Sequence, residues 1–305
     1  MTPLSEKILS EYQVRKTRDQ KTAFIDMMTQ AIPGLRVEEG GFLKNRNLVL
    51  GDPATARVII TAHYDTCARM LLPNLIAPKN IPLSLLYSLA ICLPFVLLAA
   101  VLSALLVSWT DSVLISWLGS MIPAMALLFY FFMGGKPNPH TANDNTSGVV
   151  VLCQLIEQLP QEVKQRCCFV FFDNEELGLL GSSYFRKRHK EDGVEKKVLV
   201  NFDCVSDGRE LLFVLSKAAK AGYEQAFRQA FPSEDGYTVH IEPSSTTLYP
   251  SDQVNFPLGV GVAALKRKRL VGLYMGKIHT IHDTVFQREN IQYLTDGTRR
   301  LLERI

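Results

Sequence analysis

The pattern of hydrophobic and polar positions is dominated by two long runs without charged side chains in the first half of the chain. The first extends from Ile81 to Trp109, and the second extends from Ser112 to Met133, after the Thr110-Asp111 pair. A helix needs roughly 20 apolar residues to cross the hydrocarbon core of a bilayer, and both runs are long enough. The pattern predicts an inserted transmembrane helical hairpin over residues 80–133. The alternative is a pair of buried core helices in a soluble protein.

Outside this hairpin, short apolar runs alternate with segments of helical periodicity. Helices are predicted at Gly148–Gln158, Leu177–His189 and Ala218–Ala230. Strands are predicted at Arg57–Ala62, Cys167–Phe172, Val198–Phe202, Leu211–Leu215 and Gly259–Leu265. This alternation predicts an α/β fold with a mixed, mostly parallel central sheet flanked by helices. The sheet would belong to one discontinuous domain, made of residues 1–79 and 134–305.

Composition and charge narrow the classes of function. Hydrophobic residues make up 47% of the chain and the formal net charge is only +3, so we expect a folded protein that does not bind nucleic acid. The six cysteines form no CxxC pair and most lie in apolar runs, which favours a reducing compartment.

The distribution of basic residues predicts an orientation in the membrane. The first 40 residues contain no apolar run typical of a signal peptide. The turn of the hairpin has no Lys or Arg, whereas Arg69, Lys79 and Lys136 flank it. The positive-inside tendency therefore predicts an integral membrane protein with its catalytic domain in the cytoplasm.

Polar clusters follow three of the predicted strands, and two more lie near a helix start and near the carboxyl end. They are His63-Tyr64-Asp65, Asn143–Gly148, Asp173–Glu176, Asn201–Asp203 and His279–Thr284. Functional groups in such folds gather at the carboxyl ends of the strands. Mixed His and carboxylate ligands suit zinc or a related divalent metal. Two His and three carboxylates can hold two metals if one carboxylate bridges them, which leaves one Glu free to act as a base.

The order of these clusters resembles that of the di-zinc aminopeptidases of clan MH, the family of bacterial leucyl aminopeptidase and aminopeptidase Y. The family order is HxD, DNxSG, EExGLxGS, NxD and HTxxDT, and this chain has HYD, DNTSG, EELGLLGS, NFD and HTIHDT. The resemblance implies the zinc-peptidase fold, a peptide substrate and two zinc ions per chain, with cobalt or manganese as substitutes. It also implies a role for each matching residue: His63 and Asp203 on one zinc, Glu176 and His279 on the other, Asp144 bridging both, Glu175 as general base, and Asp65 orienting the first His.

These patterns together predict a membrane-anchored, zinc-dependent aminopeptidase that contacts the lipid bilayer through residues 81–133. Three alternatives stay open: a glutaminyl cyclase of the same fold, a carboxypeptidase or dipeptidase of the same clan, and a catalytically inactive membrane receptor or scaffold. His63 and Asp144 are 81 positions apart because the hairpin lies between them, which predicts a catalytic mouth close to the bilayer. The remaining histidines, which are His140, His189, His240 and His282, are predicted not to be metal ligands, and the first three are expected at the surface.

Overall fold

A computed structural model describes residues 1–234 and 236–305 of the chain. Within these residues the α-helices are α1 (Pro3–Glu11), α2 (Arg18–Ala31), α3 (Ile81–Thr110), α4 (Val113–Phe129), α5 (Gly148–Gln158), α6 (Gln161–Lys164), α7 (Leu180–Arg188), α8 (Lys217–Ala230) and α9 (Arg288–Leu302). The strands are β1 (Arg36–Gly40), β2 (Asn45–Leu50), β3 (Val58–His63), β4 (Cys167–Phe172), β5 (Val198–Phe202), β6 (Glu210–Leu215), β7 (Thr238–Pro243), β8 (Gly259–Lys268) and β9 (Gly272–Tyr274).

The strands form one mixed sheet in the order β1-β2-β4-β3-β5-β8-β6-β7, with β9 paired to β8. Its four central strands, β4, β3, β5 and β8, are parallel to one another. Antiparallel pairs flank them, where β2 joins β4 and where β6 joins β8. The predicted α/β fold with a mostly parallel central sheet is therefore confirmed.

The central strands are apolar on both faces because helices cover both sides of the sheet. In β4, Phe169 and Phe171 pack into the larger hydrophobic core, whereas Val170 and Phe172 pack into a second core on the opposite face. Such alternation follows from the two-residue period of a strand. It explains why Cys167–Phe172 is a continuous hydrophobic run in the sequence.

Several elements have no counterpart in the sequence-based prediction. Strands β1 and β2 form an antiparallel pair at one edge of the sheet, and β7 forms the other edge. Edge strands carry polar residues because one side faces solvent, so their hydrophobic runs are broken. The amphipathic helix α9 buries Ile291, Leu294 and Leu301 against the larger core.

Helices α3 and α4 form an antiparallel hairpin that projects from the α/β unit. Small buried side chains, such as Ala99, Ser120 and Ala124, occupy the hairpin seam, which allows close helix packing. Only 11% and 17% of the residues in the most apolar windows of the two helical segments are buried. Core helices of a soluble protein would be mostly buried, so the structure argues against that alternative.

The expectation for His189 is wrong, because this residue is buried rather than at the surface. Its Nε2 lies 2.8 Å from Glu38 Oε2, and its Nδ1 lies 2.6 Å from Asp192 Oδ2. Burial alone would lower the pKa of His189, but these two carboxylates raise it above its ordinary value of 6.5. Burial would likewise raise the pKa of Glu38, but the hydrogen bond from His189 brings it below 4.5.

These shifts predict a defined pH window for the contribution of His189 to stability. The contribution of His189 to the free energy of unfolding is complete below pH 6.5 and is lost as the pH rises through the folded pKa of His189. The contribution of Glu38 is present above pH 4.5 and is lost as the pH falls through the folded pKa of Glu38. We expect His189→Gln to lower the unfolding temperature by about 2–4 °C between these limits, and by less at higher pH. Thermal unfolding followed by circular dichroism from pH 5 to pH 9 measures this difference. The exposed His140→Gln is the matched control, and a constant difference across the range would contradict the assignment.

Candidate metal centre

The sheet brings the sequence-predicted site residues to one edge. His63 is the last residue of β3, Glu175 and Glu176 lie three and four residues beyond β4, and Asp203 directly follows β5. These three strands are parallel neighbours, so their carboxyl ends meet. Asp144 reaches the same place from the segment immediately before α5.

One group of candidate ligands centres on His63. Its Nε2 lies 3.4 Å from Asp144 Oδ1 and 3.6 Å from Asp203 Oδ1. The candidate ligand atoms of these three residues all lie within 4.8 Å of one another. This spacing is compatible with a single ion placed between them.

A second group centres on His279. Its Nε2 lies 2.9 Å from Asp144 Oδ2 and 3.4 Å from Glu176 Oε2. Asp144 therefore presents one carboxylate oxygen to each group, as a bridging ligand would. Cys67 also lies near Glu176 and His279, a proximity that the sequence did not predict. Burial and nearby carboxylates hold the pKa of Cys67 well above its ordinary value.

Unpaired polar atoms test whether these residues fit a metal. Among the described residues, Glu176 Oε1 and Asp203 Oδ1 are buried without a hydrogen-bond partner. Leaving a buried acceptor unpaired costs about 1–3 kcal/mol, and more for a charged group. Because both atoms belong to the candidate ligand set, a cation that they coordinate accounts for them.

The electrostatics of the site also fit a cation. Burial and neighbouring carboxylates raise the pKa of Glu176 to about 8 and that of Glu175 well above its ordinary value. Burial raises the pKa of Asp252 to about 7 as well, and neither of its carboxylate oxygens has a hydrogen-bond partner among the described residues. Divalent cations are often the largest local charge in such a site, and they reverse shifts of this kind.

Asp65 has two sets of contacts. His63 Nδ1 lies 3.1 Å from the backbone oxygen of Asp65 and 3.6 Å from its carboxylate. That carboxylate also accepts hydrogen bonds from the backbone N–H groups of Glu175, at 3.0 Å, and Glu176, at 3.2 Å. Asp65 thus fixes the His63 ring and the glutamate pair at once.

The segment that carries Asp144 is held by its neighbours. Asn145 Nδ2 donates to Phe202 O at 2.8 Å, and Asn145 Oδ1 accepts from Gly148 N at 3.0 Å. A Cβ atom on Gly148 would lie 2.2 Å from Phe202 O, so only glycine fits at the start of α5. These contacts connect the segment directly to the end of β5.

Backbone strain is concentrated in the same region. His279 has a φ of +61°, Asn174 before the glutamate pair has +55°, and Cys204 after Asp203 has +56°. Side chains other than glycine rarely adopt this left-handed conformation, and such residues cluster at functional sites.

Two residues without a predicted role support the site. The carboxylate of Asp283 accepts hydrogen bonds from the backbone N–H groups of Asn143 and Asp144, both at 3.0 Å. Arg15 is fully buried behind the site, where its Nη1 donates to Thr146 Oγ1 at 3.1 Å. Asp283 lies inside the HTIHDT cluster, but only the fold places it against Asp144. No sequence motif marks Arg15.

The flanks of the hairpin are attached to the same loops. Arg69 N donates to Lys136 O at 2.8 Å, which joins the two flanks to each other. Met70 N donates to His279 O at 2.7 Å, and Asn138 Nδ2 donates to Thr280 O at 2.9 Å. The position of His279 is therefore tied to the segments that enter and leave the hairpin.

Solved structures with the same architecture define the class of fold. The LapA aminopeptidase of Legionella pneumophila aligns with a TM-score of 0.55 at 12% identity, over 98% of this chain and 68% of that one. LapB from the same organism aligns with a TM-score of 0.55 at 14% identity, over 98% and 69%. Glutaminyl cyclase from Porphyromonas gingivalis aligns with a TM-score of 0.56 at 15% identity, over 99% and 95%. At these identities the likeness establishes the aminopeptidase-type fold alone.

The family is established by sequence. The profile of peptidase family M28 matches residues 106–299, more than half of the chain. The chain belongs to peptidase family M28, whose family-level activity is the hydrolysis of peptides. No curated protein sequence matches the chain significantly. The M28 match begins within α3, so the HYD cluster lies before it.

The contacts of Asp283 predict a role in metal affinity. We expect Asp283→Asn to weaken metal binding about 10- to 100-fold. The reason is that an amide has one oxygen, whereas the two carboxylate oxygens of Asp283 accept separately from the backbone N–H groups of Asn143 and Asp144. Titration with a zinc chelator, followed by elemental mass spectrometry, measures the change. His282→Gln alters an exposed neighbour and should retain wild-type affinity. Equal affinity in wild type and Asp283→Asn would show that this contact does not position Asp144.

Proposed function

We propose that the protein is a membrane-anchored, two-zinc aminopeptidase that removes amino-terminal residues from peptides. The observation that carries this proposal is Asp144, which presents one carboxylate oxygen to each of two His-carboxylate groups. We assign His63 and Asp203 to one zinc ion and Glu176 and His279 to the other. Membership of family M28 supplies the peptide substrate.

The chemistry follows from the residues around the two assigned sites. When bound, the zinc ions would supply Lewis acidity, which lowers the pKa of a bound water and polarises the scissile carbonyl. Glu175 lines the cavity at the site and is outside the proposed ligand set. We assign it as the general base that takes the proton of the attacking water and passes it to the leaving amine. Asp65 holds the backbone of Glu175 and the ring of His63 in position.

The residues that line the cavity argue against recognition of a carboxyl terminus. The acidic residues of the cavity, including Glu175, Glu176 and Asp203, all lie at the metal end. Among the described residues, no Lys or Arg lines the cavity. The terminal carboxylate that a carboxypeptidase recognises would therefore have no cationic side chain to bind there, which favours recognition of the amino terminus.

Glutaminyl cyclase remains the rival within the same fold. The Porphyromonas gingivalis enzyme aligns over nearly the whole of both chains. A substrate panel separates the two activities, because a cyclase releases ammonia from a peptide that starts with Gln, whereas an aminopeptidase releases the first residue. The inactive receptor or scaffold predicts neither product.

The assigned roles of base and ligand predict different effects of two substitutions on zinc content and activity. Glu175→Gln should lower kcat about 10²- to 10⁴-fold with two zinc ions retained, because it removes a base and no ligand. Asp203→Ala should lower the zinc content from two towards one, because it removes a ligand. Elemental mass spectrometry and hydrolysis of aminoacyl anilides measure both in detergent-purified protein.

Two results would contradict this reading. If the Glu175→Gln variant kept the kcat of the wild type, Glu175 would be excluded as the general base. One zinc ion per chain in the wild type, unchanged in Asp203→Ala, would favour the cyclase over the aminopeptidase.

We also propose that α3 and α4 cross the membrane, with the α/β domain in the cytoplasm. The two helical segments, of 30 and 22 residues, are long and apolar enough to span a bilayer. Their large side chains are widely exposed: Leu86 is 65% accessible, Leu89 is 68% and Ile122 is 67%. An apolar surface of this extent on a soluble monomer would cause association, whereas lipid covers it without cost.

This orientation predicts opposite labelling at the two ends of the hairpin. In intact cells a membrane-impermeant maleimide should label Asp111→Cys in the turn, but should label the exposed Lys190→Cys only after lysis. The wild type is the control, since five of its cysteines are buried and Cys92 is partly buried. The reverse pattern would place the domain outside. Release of the protein by alkaline carbonate would contradict membrane insertion itself.

A further inference from the structure

The metal centre opens into a cavity of about 700 Å³ that extends to the hairpin. One end is formed by Glu175 and the five candidate ligands, which are His63, Asp144, Glu176, Asp203 and His279. The opposite end is formed by α3, α4 and the helical turn Tyr130–Gly134 that follows α4. Sites that bind small molecules or peptide side chains typically have volumes of roughly 300–1,000 Å³. The cavity is therefore large enough to hold several residues beyond the one at the metals.

Helix α3 contributes one continuous face to this cavity. Its lining residues are Ser84, Tyr87, Ser88, Ile91 and Cys92. Their spacing follows the repeat of an α-helix, in which positions three and four apart lie on the same face. Leu86 and Leu89 lie outside this face and are widely exposed.

Helix α4 and the following turn contribute a second face with the same repeat. The lining residues here are Met125, Leu128, Phe129, Phe132 and Met133. All five side chains are apolar. Large aromatic and Met side chains adapt to varied apolar partners, as binding surfaces for hydrophobic peptides require.

The length of the hairpin indicates where this cavity lies relative to a bilayer. Helix α3 has 30 residues, which is about 45 Å at 1.5 Å per residue, whereas the hydrocarbon core is about 30 Å thick. Counting about 20 residues in each direction from the turn of the hairpin, at Asp111 and Ser112, reaches Ile91 in α3 and Phe132 after α4. The contact between Phe95 and Phe131, with ring centroids 5.8 Å apart, pairs the two helices at nearly the same level. The cavity therefore lies where the hydrocarbon core would end on the side of the α/β domain.

We propose that these two helix faces bind the substrate, and that they select peptides with apolar residues after the amino-terminal one. The amino terminus lies at the metal centre, and the following residues lie against the hairpin at the surface of the bilayer. The substrate class is thus an apolar peptide that partitions into the membrane interface. This inference rests on the aminopeptidase activity proposed above and adds a selectivity that the activity alone does not require.

The experiment compares paired variants of the full chain in detergent on three substrates with the same first residue. One substrate is an aminoacyl anilide, which reaches only the metal end. The other two are nine-residue peptides, one with an apolar tail and one with a Ser/Gln tail. Ser88→Trp fills the cavity from α3, and Leu89→Trp places the same side chain on the exposed face.

The quantity measured is the ratio of kcat/KM for the apolar-tail peptide to kcat/KM for the polar-tail peptide. We expect a ratio of about ten or more in the wild type, from the burial of one or two apolar side chains. The ratio should fall to within about twofold of unity in Ser88→Trp and stay at the wild-type level in Leu89→Trp. Because both variants share the same detergent, partitioning of the peptide into micelles affects them equally.

A second pair keeps the test valid if Ser88→Trp does not fold. Phe129→Ala removes an aromatic side chain from the cavity wall, and Leu127→Ala is its control outside the wall. A wild-type ratio near unity, or an equal ratio in both members of a folded pair, would overturn the inference while anilide hydrolysis upholds the proposed function. Absence of anilide and peptide hydrolysis by the zinc-loaded wild type would instead overturn the proposed function.

Discussion

The site depends on the placement of one carboxylate, that of Asp144, between two imidazoles. Its oxygens lie 3.4 Å from His63 Nε2 and 2.9 Å from His279 Nε2, so an error of one ångström in its backbone would disrupt both groups. Two independent sets of contacts prevent that error. Asn145 bonds to the end of β5 on one side, and Asp283 accepts from the backbone N–H of Asp144 on the other. The crowded carboxylates can be held together only because the parallel strand ends and these contacts fix the backbone around them.

The elements that the sequence predicted well are those that are buried over all or nearly all of their length. Strands Cys167–Phe172 and Val198–Phe202 and helix Gly148–Gln158 begin and end at the predicted residues, because their hydrophobic runs coincide with the element. The edge strands β1 and β7 were missed because half-exposed strands carry polar residues. Strand β2 was missed because its apolar run is only Leu48–Leu50. The predicted helix at Leu177–His189 is shorter in the structure, Leu180–Arg188, because the residues after Glu176 form a turn that includes Leu179 at a positive φ.

The candidate site was predictable as a set of residues, but its supports were not. His63, Asp144, Glu176, Asp203 and His279 stand out by type and by position after strands or before a helix. The roles of Asp283 and Arg15 depend on contacts with residues about 140 and 130 positions away, which no local pattern encodes. For the same reason His189 was misplaced: its partner Glu38 lies on an edge strand that the pattern did not reveal.

The position of the hairpin follows from the topology of the sheet. An insertion within a strand would break the ladder, and one at the amino ends of the strands would lie far from the ligands. The connection from β3 to α5 instead leaves the sheet at its carboxyl edge, beside His63, and returns beside Asp144. Its two flanks bond to each other through Arg69 and Lys136, and one of them bonds to the backbone of His279 through Met70. An apolar hairpin inserted there stands next to the candidate metal centre without altering the strands that build it, which is why the proposed membrane anchor and a wall of the cavity can be the same pair of helices.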